Sequence, residues 1–205
     1  TRTDFLKGPV GEMVVTHCLA DLPDDYVVIN HLATLHGTLD HVVIGPTGVY
    51  IIETRNWRGL ITADGHGDIL VNGRQPQKPV IRLLLHQILN VRDQVVLVSA
   101  RKHSAPEMPV FKGLVVFPAA SVEARLGTTG SAFCLNENQV YDFIVRNKWN
   151  DELDSSRIKR LTRAFLALAK ADRESLWRES LPVASAASNP SQSPRPDAPQ
   201  SVFIS

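Results

Sequence analysis

Two β-rich runs, Asp40 to Ile44 (DHVVI) and Val49 to Arg55 (VYIIETR), flank the turn Gly45-Pro46-Thr47-Gly48, and no other stretch restricts the fold as much. β-Branched and aromatic side chains favour extended backbone, and Pro with Gly supplies the reversal, so a β-hairpin is expected. Pairing Ile44 with Val49 and counting outward brings Asp40 opposite Glu53. A two-residue loop with Gly45 opposite Gly48 gives the same register, and only a bulge would shift it. Opposed residues in an antiparallel pair have Cβ atoms about 4.5 to 5.5 Å apart. Two carboxylates that close repel unless a cation stands between them or one is protonated. Arg55 lies two residues beyond Glu53, and the alternation of side chains along a strand puts it on the same face.

An Asp, a Glu and a cation on one sheet face form a constellation suited to a metal and a phosphate. Mg²⁺ prefers hard oxygen ligands and keeps waters beside one or two carboxylates. It activates water and steadies charge on phosphoryl oxygens. The alternative is the end of a surface hairpin, where Arg55 merely bridges two exposed acids. The charge distribution suits the first reading: residues 1–54 carry two Lys or Arg against seven Asp or Glu, whereas residues 55–112 carry nine against four. Carboxylates that hold metal next to cations that hold phosphate are what a phosphodiesterase needs, although two solvated faces of opposite sign would look the same. The net charge of +1 decides nothing about a nucleic-acid partner.

Elsewhere the pattern predicts helices and strands in turn. Residues 8–20 place Val10, Met13, Val14 and Cys18 at helical spacing, with Glu12 beside that stripe. Tyr26 to Asn30 and Gly113 to Phe117 read as strands, and Ser131 to Leu135 as another. A long helix is expected from Pro79 to about Ala100, with Val80, Leu83, Leu84, Ile88, Val91 and Val95 on one stripe. Asn138 to Arg146 predicts a short helix. A last helix, capped by Ser155 or Ser156, aligns Ile158, Leu161, Phe165 and Leu168 and carries Arg157, Lys159, Arg160 and Arg163 on its other sides. The fold class expected is α/β or α+β, a sheet flanked by helices. With 205 residues and 43% hydrophobic content the chain supports one sizeable core.

The expected organisation is a domain over 1–147, a C-terminal helix over 148–181, and a disordered tail over 182–205, where Ser, Ala, Pro and Gln take over. Cys18 and Cys134 stand far apart without CxxC spacing, which fits a reducing compartment. No apolar run reaches membrane-spanning length and no signal-peptide layout opens the chain, so a cytoplasmic location and no membrane partner are expected. Beginning at Thr1 without Met, the chain is expected to be a fragment or a processed form.

Other chemistry finds less support. His31, His36 and His41 fall close together, but no Cys or second matched pair follows to complete a zinc set. His41, next to Asp40, points to the opposite sheet face in a regular strand and is expected to be a packed or solvent-bonded histidine. The glycine-rich segment Gly65 to Gly73 lacks GxGxxG and the phosphate-loop lysine. No GxSxG and no Cys/His nucleophile pattern is present. Arg101, Lys102 and His103 suit the C-terminal end of the long helix, where cations complement the helix dipole.

Four pieces, GPVGE (8–12), LPDDYVVIN (22–30), LDHVVIGPTGVYIIETRNWRG (39–59) and GLVVFP (113–118), resemble the nuclease-related domain, or NERD, family in order and spacing. The resemblance implies a restriction-endonuclease-like fold with a PD-(D/E)xK core, a mixed central sheet flanked by helices. It implies that Asp40 and Glu53 are metal ligands for Mg²⁺ or Mn²⁺, that residue 55 takes the place of the lysine in the ExK element, and that Glu12 is the helix acid assisting the metal. Trp57 and Gly59 match the motif, and Trp57 is expected to pack rather than stack on a base. Two departures stand out. Arg55 replaces the lysine, and arginine stays protonated, so it stabilises charge without sharing in proton transfer. Lys78 to Arg82 stands where the family shows Asn-Pro followed by glutamine, with Arg82 at the glutamine position. Arg55, Arg58 and Arg82 are the candidate nucleic-acid contacts. The function implied is a metal-dependent hydrolase of phosphodiester bonds in DNA, or RNA. Its rivals are a nucleic-acid-binding module without turnover and a protein-interaction module that docks through its C-terminal helix.

Overall fold

In a computed structural model the described residues are 9–34, 37–100, 108–124, 132–147 and 152–180, with side chains described from Val10 and not for residues 100 and 170–180. The hairpin forms in the expected register. Strands β2 (Gly37–Gly45) and β3 (Gly48–Thr54) pair antiparallel, with Ile44 opposite Val49 and Gly45 opposite Gly48, so Pro46 and Thr47 are the loop. Gly48 takes a φ of 131°, open to glycine, while a Cβ on Gly45 would collide with the Tyr26 ring. Strand β1 (Val27–Thr34) runs antiparallel to β2 and extends past the expected Asn30. It does so through His31, whose φ of 51° breaks the regular extended path.

Strands β6 (Phe111–Val116) and β8 (Ala132–Leu135) continue the sheet in parallel, giving the order β1-β2-β3-β6-β8. A parallel neighbour cannot be reached by a tight turn, and helix α2 (Val80–Ala100) lies within the long connection from β3 to β6. Helices cover both faces. Helices α1 (Pro9–Ala20) and α3 (Glu137–Arg146) enclose one core around Val15, Leu19, Tyr50, Ile52, Leu114 and Ile144. Helices α2 and α4 (Ser155–Ser180) enclose the larger core with Val42, Ile51 and Val115. Every residue of β3 is buried, because a central strand packs on both sides. This is the mixed central sheet with flanking helices expected for the fold class.

Several local expectations differ from the structure. The α1 stripe is rotated: Val10, Met13 and Val14 are exposed, and Gly11, Val15 and Leu19 face the sheet. Apolar side chains on several sides of this helix leave the period without a clear phase, and the close packing of Gly11 on Asn56 and Thr54 selects the face. On α2, Leu83 is exposed while Val80, Leu84, Ile88, Val91 and Val95 are buried. Helix α4 is capped by Asp154, whose Oδ1 accepts the Arg157 N–H at 2.8 Å, rather than by Ser155 or Ser156. The stripe Ile158, Leu161, Phe165 and Leu168 is buried in the larger core, so it is not a surface for docking.

A second sheet, ordered β5-β4-β7, joins β4 (Gly59–Ala63), β5 (Ile69–Val71) and β7 (Ala120–Val122). These strands are only three to five residues long, too short for alternation to mark them in the sequence. The glycine-rich segment holds the β4–β5 turn and β5 itself, and in that turn Asp64 Oδ1 accepts the N–H groups of His66 and Asp68 at 2.7 and 2.9 Å. His36, the cluster Arg101 to His103 and the tail 182–205 lie outside the described residues.

Candidate functional site

The site begins where the β2–β3 ladder ends. Its last rung at this end pairs His41 with Ile52, and Asp40 and Glu53 follow directly on their strands. Strand alternation would next join the Thr54 N–H to the backbone of Leu39. Instead the Asp40 side chain supplies the acceptor: Oδ2 takes the Thr54 N–H at 2.8 Å. Both acids are buried, at 4% and 6% exposure for Asp40 and Glu53, which removes the reading of an exposed hairpin end. Glu53 also sits beside Val115 of β6, and the Arg55 N–H donates to the Val116 carbonyl at 2.8 Å, so both flanking strands hold this segment. Arg55 Nη1 approaches Glu53 Oε1 at 2.5 Å, a charge-assisted contact. The structure thus brings Asp40, Glu53 and Arg55 together.

Glu12 stands apart from them. It lies in the first turn of α1, with Oε2 at 3.8 Å from Nδ1 of the exposed His31. Among the described residues no group of three His, Cys, Asp or Glu side chains is close enough to hold a metal, so neither a third carboxylate nor a histidine joins the pair. Helix α1 is tied to the sheet by Thr16, whose hydroxyl donates to the Glu12 carbonyl at 2.9 Å and lies 3.0 Å from His41 Nε2. Because that hydroxyl proton is already engaged, Nε2 must be the donor. His41 is fully buried, and burial lowers its pKa to about 4, so it is a neutral packed histidine, with Nδ1 lacking a hydrogen-bond partner.

The remaining candidates line or flank a cleft next to Arg55. Trp57 packs on Phe117, with ring centroids 5.8 Å apart, and forms one wall together with Lys78, Val80 and Leu83. Arg58 and Arg82 are exposed. Arg82 and Ile81 donate their backbone N–H groups to the buried carboxylate of Asp68, at 3.4 and 3.2 Å, which caps α2 from a distant loop.

The nuclease-related domain family matches residues 7–118. The chain belongs to this family. Its placement agrees with the PD-(D/E)xK superfamily, and Asp40 and Glu53 lie on the paired strands β2 and β3. In this nuclease-related domain Arg55, which the resemblance sets at the lysine of the ExK element, touches the buried Glu53. An uncharacterized protein of Bacillus anthracis is 39% identical over 61 residues, which cover 27% of this chain and 29% of that protein. The chain therefore matches under a third of that relative's length. No solved structure matches it. No described helix of this nuclease-related domain is long and apolar enough to cross a membrane. Sequence reasoning missed Asp68, Lys78 and Leu83: an acid that caps a helix from 13 residues away leaves no local signal, and Leu83 reads as core until the tertiary packing turns it outward.

Proposed function

We propose that this nuclease-related domain hydrolyses phosphodiester bonds in DNA with a divalent metal, Mg²⁺ or Mn²⁺, held by Asp40 and Glu53, while Arg55 meets the phosphate. The observation that supports it most is a pair of buried carboxylates directly beyond the last rung of two paired strands, with a guanidinium against one of them. This donor set fits a hard divalent cation, since Mg²⁺ needs only one or two carboxylates and keeps its waters. Such an ion, when bound, activates a water and offsets charge on the phosphoryl oxygens. Asp40 is held in place by the Thr54 N–H, which its Oδ2 accepts at 2.8 Å. Arg55 offers a planar, permanently charged fork that matches phosphate and takes up no proton. The test is single-turnover cleavage of plasmid and oligonucleotide DNA over Mg²⁺ and Mn²⁺ series. Wild-type cleavage that disappears in Asp40→Asn is expected. Persistent cutting by Asp40→Asn, or a wild type that neither binds metal nor cuts, overturns the reading.

The contact between Arg55 and Glu53 favours one second reading, a DNA-binding module without turnover, because the arginine engages an oxygen that a metal needs. Salt-sensitive DNA binding with no cleavage at any metal concentration supports that alternative.

A further inference from the structure

The cleft beside Arg55 has features that neither the metal nor the scissile phosphate requires. Its volume is about 290 Å³, and apolar walls from Trp57, Val80 and Leu83 meet two cations, Arg55 and Lys78. Leu83 is 48% exposed, an apolar side chain held in water at the mouth. An apolar wall with cations beside it suits a ligand with an apolar face at one end and an anionic group at the other. We infer that this cleft is a subsite for one unstacked nucleotide next to the scissile phosphate, so that the preferred substrate is single-stranded or frayed DNA rather than continuous duplex.

Four observations support this, and the inference rests on the nuclease reading for the position of the phosphate. Arg55 belongs to both places, lining the cleft and touching Glu53, so a phosphate on its guanidinium would have its own base or a neighbouring one within reach of Trp57. Trp57, 9% exposed and packed on Phe117, is a fixed part of the cleft, and Leu83 beside it offers the exposed apolar surface on which a base would lie. The volume lies at the lower end of the range for small-molecule sites, from about 300 Å³, which suits one base rather than a stack. In continuous duplex each base is stacked between neighbours and exposes only its edges, so its face cannot reach the wall without flipping. Single strands offer that face freely. Arg58 and Arg82, exposed and adjacent in sequence to two wall residues, add charge for the flanking backbone.

The test is fluorescence anisotropy in EDTA, with a labelled single-stranded DNA oligonucleotide and the blunt duplex of the same sequence at one fixed salt concentration. The wild type is expected to bind the single strand at least about 10-fold more tightly than the duplex. Leu83→Ser, at an exposed position where folding is not at stake, should weaken single-strand binding about 5- to 50-fold while changing duplex binding by less than about 2-fold. Equal single-strand and duplex affinity in the wild type, or a Leu83→Ser protein that binds single strands like wild type, overturns the subsite. Because EDTA removes catalysis, a protein that shows this preference yet never cuts would sink only the nuclease reading. One that cuts duplex and single strand alike, with Leu83→Ser neutral, would sink only the subsite.

Discussion

Asp40 Oδ2 accepts the backbone N–H of Thr54 at 2.8 Å, so the carboxylate on β2 is oriented by the same strand that carries Glu53. Asparagine at position 40 keeps an oxygen for that hydrogen bond and removes the charge. Asp40→Asn should therefore melt within a few degrees of wild type while losing Mn²⁺ binding in calorimetry and cleavage beyond detection. Asp40→Ala leaves the Thr54 N–H without this acceptor and should cost about 1 to 3 kcal/mol in denaturant unfolding. Equal metal affinity in wild type and Asp40→Asn would remove Asp40 from the ligand set.

Arg55→Lys restores the family's residue and a group whose pKa can fall in a desolvated site. Metal-dependent cleavage by this variant should equal or exceed that of wild type in single-turnover assays. Arg55→Ala takes away the guanidinium next to the buried Glu53 and should lose stability as well as DNA affinity. A lysine variant with markedly slower cleavage would mean that the bidentate fork of arginine, and not a shared proton, limits the reaction.

Burial holds the His41 imidazole at about 4, below the ordinary value of 6.5. Between those values the unfolded chain takes up a proton that the folded chain refuses, so the stability that neutral His41 permits is complete above pH 6.5 and declines as pH falls towards 4. The loss should approach about 2 to 3 kcal/mol, and the nearby Asp40 charge acts against it. Urea midpoints of wild type and His41→Gln from pH 7 to 4 check this. The glutamine variant should show the shallower dependence, and identical slopes would assign the titration to other groups.

Asp68 accepts the N–H groups of Ile69, Ile81 and Arg82 at 3.0, 3.2 and 3.4 Å, which fixes the start of α2 beside the cleft. Asp68→Ala should lower stability by about 1 to 3 kcal/mol. It should also speed amide exchange in the first turn of α2, around Ile81 and Arg82. Protection there unchanged from wild type would show that the helix end is held without this cap.

What the sequence by itself determined was local and periodic. The turn Gly45 to Gly48 and the alternation around it set the register that stands Asp40 across from Glu53, because strand pairing through a two-residue loop leaves no freedom to slip. Spacing of three and four residues disclosed α2 and α4, whose buried stripes are long enough to define a phase. Tertiary structure decided the rest. Helix α1 is apolar on more than one side, so only its packing on Asn56 and Thr54 selects Gly11, Val15 and Leu19 as the inward face and sets Glu12 beside His31 rather than with the carboxylate pair. The Asp68 cap and the cleft walls join segments distant in sequence, and no local propensity encodes a contact whose two halves meet only after the chain has folded.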